Sequence, residues 1–499
     1  MKGERLSGTA LTAIIIALVI VLNVIVFVLD AHFGLYLYKP KTADMSISGA
    51  TDSYFREAME RGERVKVMFC RAEDEVKSNS KGQYVLDTAR QLAERYPDFI
   101  ELDFLNIIRK VNSKGELVDL TKYQTKGEDG KLTPLLKSSV IFECGNNVKV
   151  LTDGYSSTGY SDFYTVDSSG NAYAYNGEEI IASMIMWVLK DEHKTAYFTT
   201  YHGEGADYGL RNMLISAGYN VDNSLDIKNN EIPSDAGLII ISNPVKDFER
   251  GMAGTNVESE IERLRSYVKN GGRLYIALDP YAPSLPVLEE FIDEFGIAIS
   301  TTDRDGESIR NIVRDSENAI TADFYTLVAR YADTHVGNMI GRRVKAYSSA
   351  DVIVRESAVL SLDGELGAEP ILLTSEVSEL YAAGAKVNSD GSYCVSAVSK
   401  FVNEDGVEGS ITVTPNVYMT ATDALVSGGY ANREFLYAMM ETVFGAEDLP
   451  YGCNTVFFTE DVLENLTMGT ARLYTVLIFL IPAAIMAVGV FVVIRRKNR

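Results

Sequence analysis

The sequence predicts an α/β protein, with two α/β units between two terminal transmembrane helices. Three observations predict it. Uncharged apolar runs occupy residues 11–29 (LTAIIIALVIVLNVIVFVL) and 473–494 (LYTVLIFLIPAAIMAVGVFVVI). Residues 51–176 follow a strand–helix–strand–hairpin order. Residues 177–460 alternate short apolar strands with helices, which implies a parallel sheet covered on both faces.

Each terminal run is long enough to cross a hydrocarbon core of about 30 Å. A signal peptide would be shorter and end in a small-residue cleavage site, which is absent after residue 29, so the first run is expected to remain as an anchor. Pro482 is tolerable inside a membrane helix. Lys2 and Arg5 precede the first run, and Arg495, Arg496, Lys497 and Arg499 follow the second. The positive-inside rule therefore puts both tails, 1–10 and 495–499, in the cytoplasm. The expectation is a two-pass cell-membrane protein. Its linkers are 30–50 and 461–472, and its main domains are extracytoplasmic.

The 499 residues exceed one ordinary core, and 46% hydrophobic and 10% aromatic content marks the chain as globular. A formal charge of −22 without a Lys/Arg stripe excludes nucleic acid as a partner. The acidity of the outer part suits solubility and disfavours docking on anionic lipid headgroups. Cys70, Cys144, Cys394 and Cys453 lie far apart with no Cys-x-x-Cys, so buried free thiols are expected rather than a disulfide scaffold.

In chain order, the first unit opens with a strand at 65–70. A helix at 83–96 follows, with Val85, Leu86, Ala89, Leu92 and Ala93 on one face. A strand at 99–107 comes next, then strands at 139–143 and 148–151 joined by Gly145-Asn146-Asn147 as a hairpin. This order resembles a thioredoxin-like fold, but the chain reads CRAEDE after its first strand and lacks the redox cysteine pair. Residues 155–176, rich in Ser, Tyr and Gly, are expected as a linker, and a strongly apolar helix begins at 178.

The second unit runs strand 195–201, helix 208–217, strands 219–226 and 237–242, and helix 258–269 closed by Asn270-Gly271-Gly272. Strand 273–278, helix 285–295 and strand 297–300 follow. Residues 301–410 form a mixed insertion, with 326–332 helical and strands at 369–375 and 393–399. Strand 410–414 and helix 433–444 return to close the sheet. A functional crevice is expected at the C-terminal strand ends, where His202, Asn243-Pro244 and Asp279-Pro280 fall.

Residues 197–209 (YFTTYHGEGADYG) raise the question of catalysis. No cysteine lies between Cys144 and Cys394, so the surrounding unit has no thiol nucleophile of the amidotransferase kind. Ser242 sits in IISNP, without the glycines of a serine elbow. Zinc needs three or four ligands, and only four histidines exist, with no His-Glu-x-x-His. A set of His202, Glu204 and Asp279 is the remaining candidate. Gly203-Glu204-Gly205 lacks the full dinucleotide pattern, and Glu204 and Asp207 would repel phosphate; no Walker motif occurs. No cofactor or metal is expected. The plain reading of 202–205 is a tight glycine turn feeding a helix.

The order of short motifs resembles a family. After the N-terminal anchor and the thioredoxin-like region without its redox cysteine pair come the helix at 178–190 and a strand ending in His202-Gly203-Glu204. Then come Glu231-Ile232-Pro233-Ser234-Asp235-Ala236, a strand ending in Asn243-Pro244, the stretch YVKNGGRL at 267–274, Asp279-Pro280 and the C-terminal span. This is similar to the extracytoplasmic auxiliary component of gliding-motility-type ABC transporters, the GldG-like proteins. The resemblance covers most of the chain and is firmest over 178–300. It implies a class I amidotransferase-like domain lacking the nucleophile, and a non-enzymatic partner of a separate ABC permease and cytoplasmic ATPase. The family commonly carries an acidic Gly-Asp-Ser-Asp-Phe-like strand end late in the ectodomain; here Thr414-Pro415-Asn416-Val417-Tyr418 stands in that place.

The leading expectation is thus an auxiliary subunit of an ABC-2-like exporter, in contact with the lipid bilayer and binding a cargo or envelope partner. Its ligand residues would be His202, Glu204, Asn243 and Asp279. The alternatives are a surface adhesion or sensor module, and a membrane-anchored hydrolase using His202, Glu204 and Asp279.

Overall fold

The computed structural model describes residues 46–124, 132, 134–153, 162–166, 172–205, 207–251, 259–426 and 429–458, with scattered positions from 476 to 497. The apolar run at 11–29 lies outside the described residues, as does most of that at 473–494, whose described positions are helical. Among the described residues no helix is long and apolar enough to cross a membrane. The chain divides into two units, one of Met45–Met468 and one of the terminal segments Met1–Asp44 and Gly469–Arg499. Among the described residues, every strand belongs to the first unit.

The N-terminal half of that unit comprises α1 (Ala50–Glu60), β1 (Val65–Phe69), α2 (Glu73–Lys77), α3 (Ser80–Arg95), β2 (Ile100–Phe104), β3 (Ser139–Cys144) and β4 (Asn147–Thr152). The sheet order is β2-β1-β3-β4, with β1 and β2 parallel and β3–β4 the expected hairpin. The Asn79 side chain caps α3 by accepting from Lys81 N and Gly82 N. The expected linker at 155–176, as far as it is described, contains two paired strands instead, β5 (Tyr164–Val166) and β6 (Ala172–Tyr175). Two of its tyrosines are core residues: Tyr164 and Tyr175 are buried, and the Tyr175 hydroxyl lies 2.8 Å from that of Thr88 on α3. Helix α4 (Gly177–Val188) buries Ile181, Met184, Ile185 and Val188 in one core with Val67, Phe69, Val85 and Leu86. A helix apolar on all sides has to be covered all round, and α4 is.

The C-terminal half begins with β7 (Thr195–Thr199), α5 (Tyr208–Ser216), β8 (Asn220–Leu225), β9 (Ala236–Ser242), α6 (Glu260–Lys269), β10 (Arg273–Ala277) and α7 (Pro286–Asp293). Next along the chain are β11 (Ile297–Ile299), β12 (Thr301–Arg304), β13 (Glu307–Arg310), β14 (Ile312–Arg314), β15 (Thr326–Tyr331), α8 (His335–Tyr347), β16 (Val352–Arg355), β17 (Leu360–Leu362) and β18 (Ala368–Leu373). Then come β19 (Ser378–Ala382), β20 (Ala385–Gly391), β21 (Cys394–Val402), β22 (Glu408–Thr414), α9 (Thr422–Val426), α10 (Asn432–Thr442) and β23 (Val456–Phe457).

The main sheet runs β16-β15-β18-β21-β22-β10-β9-β7-β8. Strands β8, β7, β9, β10 and β22 are parallel, and Leu238, Ile239, Ile240 and Ile241 of β9 are all fully buried, as strands covered on both faces must be. Strand β22 returns to pair with β10, as the sequence predicts. Two expectations are corrected. Residues 326–332 are not helical: β15 pairs antiparallel with β16 on one edge and β18 on the other, partners that lie distant in sequence. The strand at 297–300 does not join the parallel set; β11 pairs antiparallel with β17. Within 301–410, β15, β16, β17, β18 and β21 extend the main sheet as an antiparallel wing, while β12-β13 and β14-β19-β20 form two separate small antiparallel sheets.

Candidate functional site

Strand β7 leads through α5 to β8 on one side, while β9 lies on its other side. The strand order reverses at β7, and a doubly wound sheet opens a crevice at the C-terminal ends of such strands. Here that place is an open cleft of about 610 Å³, lined in part by Thr199, Tyr201, Glu204, Asp207, Arg211 and Lys246.

His202 lies behind this cleft and is 4% exposed. Its Nδ1 is 3.0 Å from Glu204 Oε1 and its Nε2 3.1 Å from Glu260 Oε1. Phe248 stacks on the imidazole, with ring centroids 3.8 Å apart. Both carboxylates are otherwise satisfied. Glu204 accepts from His202 N at 2.7 Å and Thr199 Oγ1 at 2.9 Å, and Glu260 Oε2 accepts from Glu249 N at 2.6 Å. Burial alone would lower the histidine pKa, but the hydrogen bonds and charges of Glu204 and Glu260 outweigh it and raise it to about 9. The same contacts hold both carboxylates below their ordinary range against the opposing effect of burial.

The backbone completes a clamp. His202 O accepts from Val245 N and Lys246 N, both at 2.8 Å, and Gly205 N donates to Ser242 O at 3.2 Å. The loops after β7 and β9 are thereby tied together, and Glu260 ties both to the first turn of α6. The bend that allows this uses left-handed backbone at Tyr201 (φ 79°) and Gly203 (φ 77°). For a bulky residue such as tyrosine that conformation is strained and survives only where its surroundings over-determine it. At Gly203 a Cβ would also lie 2.4 Å from Val245 Cγ2.

Of the four candidate residues, His202 and Glu204 meet in one network. Asn243 ends β9 beside them, with φ 53° and its N–H donating to Ala277 O at 2.8 Å. Asp279 does not line this cleft. Its Oδ1 accepts from Tyr281 N at 2.8 Å and its carbonyl from Arg310 Nη1 at 2.8 Å, holding the loop over a second, smaller cavity. Sequence reasoning missed Glu260. The signal was present as Ser259-x-x-Glu262, a capping box that starts α6 and places Glu260 in its first turn. Asp207 caps α5 by accepting from Leu210 N at 2.9 Å, accepts from Thr420 Oγ1 at 2.5 Å, and is raised by burial to about 6.

At neutral pH both ring nitrogens of His202 carry protons and both are engaged. The imidazolium is then neither a general base nor a metal ligand. Among the described residues no group of three or more ligating side chains is arranged to hold a metal ion. The four cysteines are free; Cys70, Cys394 and Cys453 are buried and Cys144 half-buried, and burial raises the thiol pKa of each.

No family model matches the chain, and no curated protein does. Several solved structures are similar over about half of it. The N-terminal domain of mmIFT52 is 18% identical, covering 50% of this chain and 96% of that one, with a TM-score of 0.35. A ThuA-like protein from Bacteroides uniformis is 14% identical, covering 52% and 94%, with a TM-score of 0.30. PurLQS from Thermotoga maritima is 12% identical, covering 50% and 99%, with a TM-score of 0.25. By its own sheet topology the described chain is mixed α/β with a parallel-sheet region.

Proposed function

We propose that this chain is a non-catalytic, membrane-anchored extracytoplasmic subunit of an ABC-2-like transporter. In this reading residues 51–176 form a thioredoxin-like domain, and the larger sheet an amidotransferase-like domain without a nucleophile. The cleft at the ends of β7 and β9 binds cargo or an envelope partner, and a separate permease and ATPase move it. The observation that carries the non-catalytic part is the state of His202. A buried imidazolium held between two carboxylates is built to keep its proton, whereas a catalytic histidine has to exchange one. The transporter part rests on the order of motifs along the sequence and on the apolar termini. Extraction of the full chain from membranes in mild detergent tests it. A multi-span permease and a cytoplasmic ATPase should co-purify; isolation of the chain alone, repeated after cross-linking, would overturn the transporter reading and favour an adhesion or sensor module.

A further inference from the structure

The second cavity, of about 320 Å³, shares no lining residue with the β7–β9 cleft. Three tyrosines line it: Tyr281 from the loop after β10, Tyr325 from the segment before β15 and Tyr381 from β19. Tyr281 is 61% exposed, yet its loop is held firmly. Arg310, 8% exposed, donates from Nη1 to Asp279 O at 2.8 Å and Ala282 O at 3.3 Å, and from Nη2 to Pro283 O at 3.2 Å and Glu289 Oε1 at 2.6 Å. One guanidinium thereby staples the whole loop. Arg314 orders the other two rings, its Cζ lying 4.9 Å from the Tyr325 centroid and 4.7 Å from that of Tyr381. Phe324 (φ 67°), beside Tyr325, and Ala383 (φ 47°), in the β19–β20 turn, have left-handed backbone. Such strain survives only where the surroundings over-determine it, and it concentrates at binding sites.

The lining selects the ligand by its chemistry. Among the described lining residues only Arg310 and Glu289 are charged, and they are paired with each other. A free anion or cation therefore finds no unpaired counter-charge inside. No Asn, Gln or Asp lines the cavity, so a polyol lacks planar groups to bridge its neighbouring hydroxyls. What remains is ring surface and spare donors: the hydroxyls of Tyr281, Tyr325, Ser284, Thr301 and Ser308 have no hydrogen-bond partner among the described residues. These fit a polyproline II strand, which offers proline rings and outward carbonyls and has no internal hydrogen bonds. The rim adds a preference of charge. Burial, and then the charges of Glu356, Asp279 and Asp323, raise the Tyr281 phenol. Asp303 stands opposite Ser308 in the β12–β13 hairpin, and Glu379 Oε2 accepts from the Tyr381 hydroxyl at 2.9 Å. Against these five carboxylates stand three cations, Arg314, Arg355 and Lys386. Arg304 and Glu307 face each other across the hairpin and cancel. We infer that this cavity docks a proline-rich segment of a partner protein, with a lysine or arginine next to the prolines meeting the acidic rim.

Fluorescence anisotropy tests this, with a labelled decaproline carrying a lysine at each end titrated with the full chain in mild detergent. Saturable binding is expected. Tyr281→Ala should weaken it about tenfold. Tyr325→Phe, which keeps the ring and removes the hydroxyl, should weaken it about fivefold. Glutamates in place of the two lysines should weaken it about threefold, and a glycine–serine peptide of the same length and charge should not bind. A decaproline that does not bind, or that binds the wild type and both variants equally, overturns the docking. Stronger binding of the glutamate-flanked peptide overturns the charge preference. Displacement by tetramethylammonium chloride beyond that by equal sodium chloride overturns the docking in favour of an organic cation among the tyrosines, and displacement by cellobiose does so in favour of a sugar. The result is independent of the transporter reading, because the titration includes neither permease nor ATPase.

Discussion

Replacing His202 by Gln removes one charge from the centre of the clamp and keeps a side chain of similar reach. A histidine raised from its ordinary 6.5 to about 9 binds its proton more tightly in the folded state by about 3 kcal/mol. Since the folded value lies above the unfolded one, this stability is fully present below pH 6.5 and is lost as pH rises through 9. Glu204 and Glu260, depressed in the fold, contribute stability that is present above their ordinary 4.5 and lost as pH falls through their folded values. Urea unfolding followed by circular dichroism at pH 6 and pH 9.5 reads the first term. The wild type should lose about 3 kcal/mol more than His202→Gln over that interval. At pH 6 the variant should be about 3 kcal/mol weaker, because two buried carboxylates then face each other without a cation. Amide exchange at Val245 and Lys246, whose N–H groups bond His202 O, should accelerate in the variant at neutral pH. Equal pH slopes in the two proteins would refute the imidazolium clamp, and unchanged exchange would refute its role in tying the loops.

Three further substitutions address other parts of the fold. Glu178, buried at the start of α4, accepts from Ser48 Oγ at 2.6 Å, Thr51 Oγ1 at 2.5 Å and Asn454 N at 3.0 Å; Glu178→Ala should cost about 1–3 kcal/mol and hasten proteolytic cleavage near 46–51 and 453–458, and unchanged cleavage would show that it does not clasp these stems. Arg433→Met should lower thermal stability by about 3–5 kcal/mol, because Glu179, 3.1 Å from Arg433 Nη1, is left buried without its cation; a neutral result in a melting curve would contradict that account. Gly209→Ala, whose Cβ would stand 2.3 Å from Thr420 O, should destabilise by about 1–3 kcal/mol and displace the α5 N-terminus from the segment at 420, detectable as faster exchange of the Leu210 amide.

The parallel strands were legible because their pattern is local. LIII in β9 and LYIA in β10 cannot sit on a half-exposed sheet, and a glycine turn closes α6 before β10 begins. Residues 326–332 were not, since TLVARYA suits either period, and the choice is made by β16 and β18, whose pairing no local window contains. Tyr164 and Tyr175 read as part of a linker at 155–176 because Ser and Gly surround them. Only their burial against α3 shows that they belong to the core.

The site was legible at its first half and not at its second. His202 and Glu204 are two residues apart, and a turn brings them together without help from the rest of the chain. Glu260 is 58 positions further on, and its arrival changes the chemistry. With one carboxylate, an imidazole has a free nitrogen and can accept a proton, which is the arrangement of a general base. With a carboxylate on each nitrogen and an aromatic ring across its face, it becomes a cation locked in place. The same His-x-Glu that invites a catalytic reading is turned into structure by the first turn of a helix. What it fixes is the pair of loops after β7 and β9, and with them the strained, 67% exposed Tyr201 at the lip of the cleft. Any binding at this cleft therefore depends on the ionic lock behind it. Opening the lock at high pH should weaken a ligand that contacts Tyr201 without altering a single residue in contact with it.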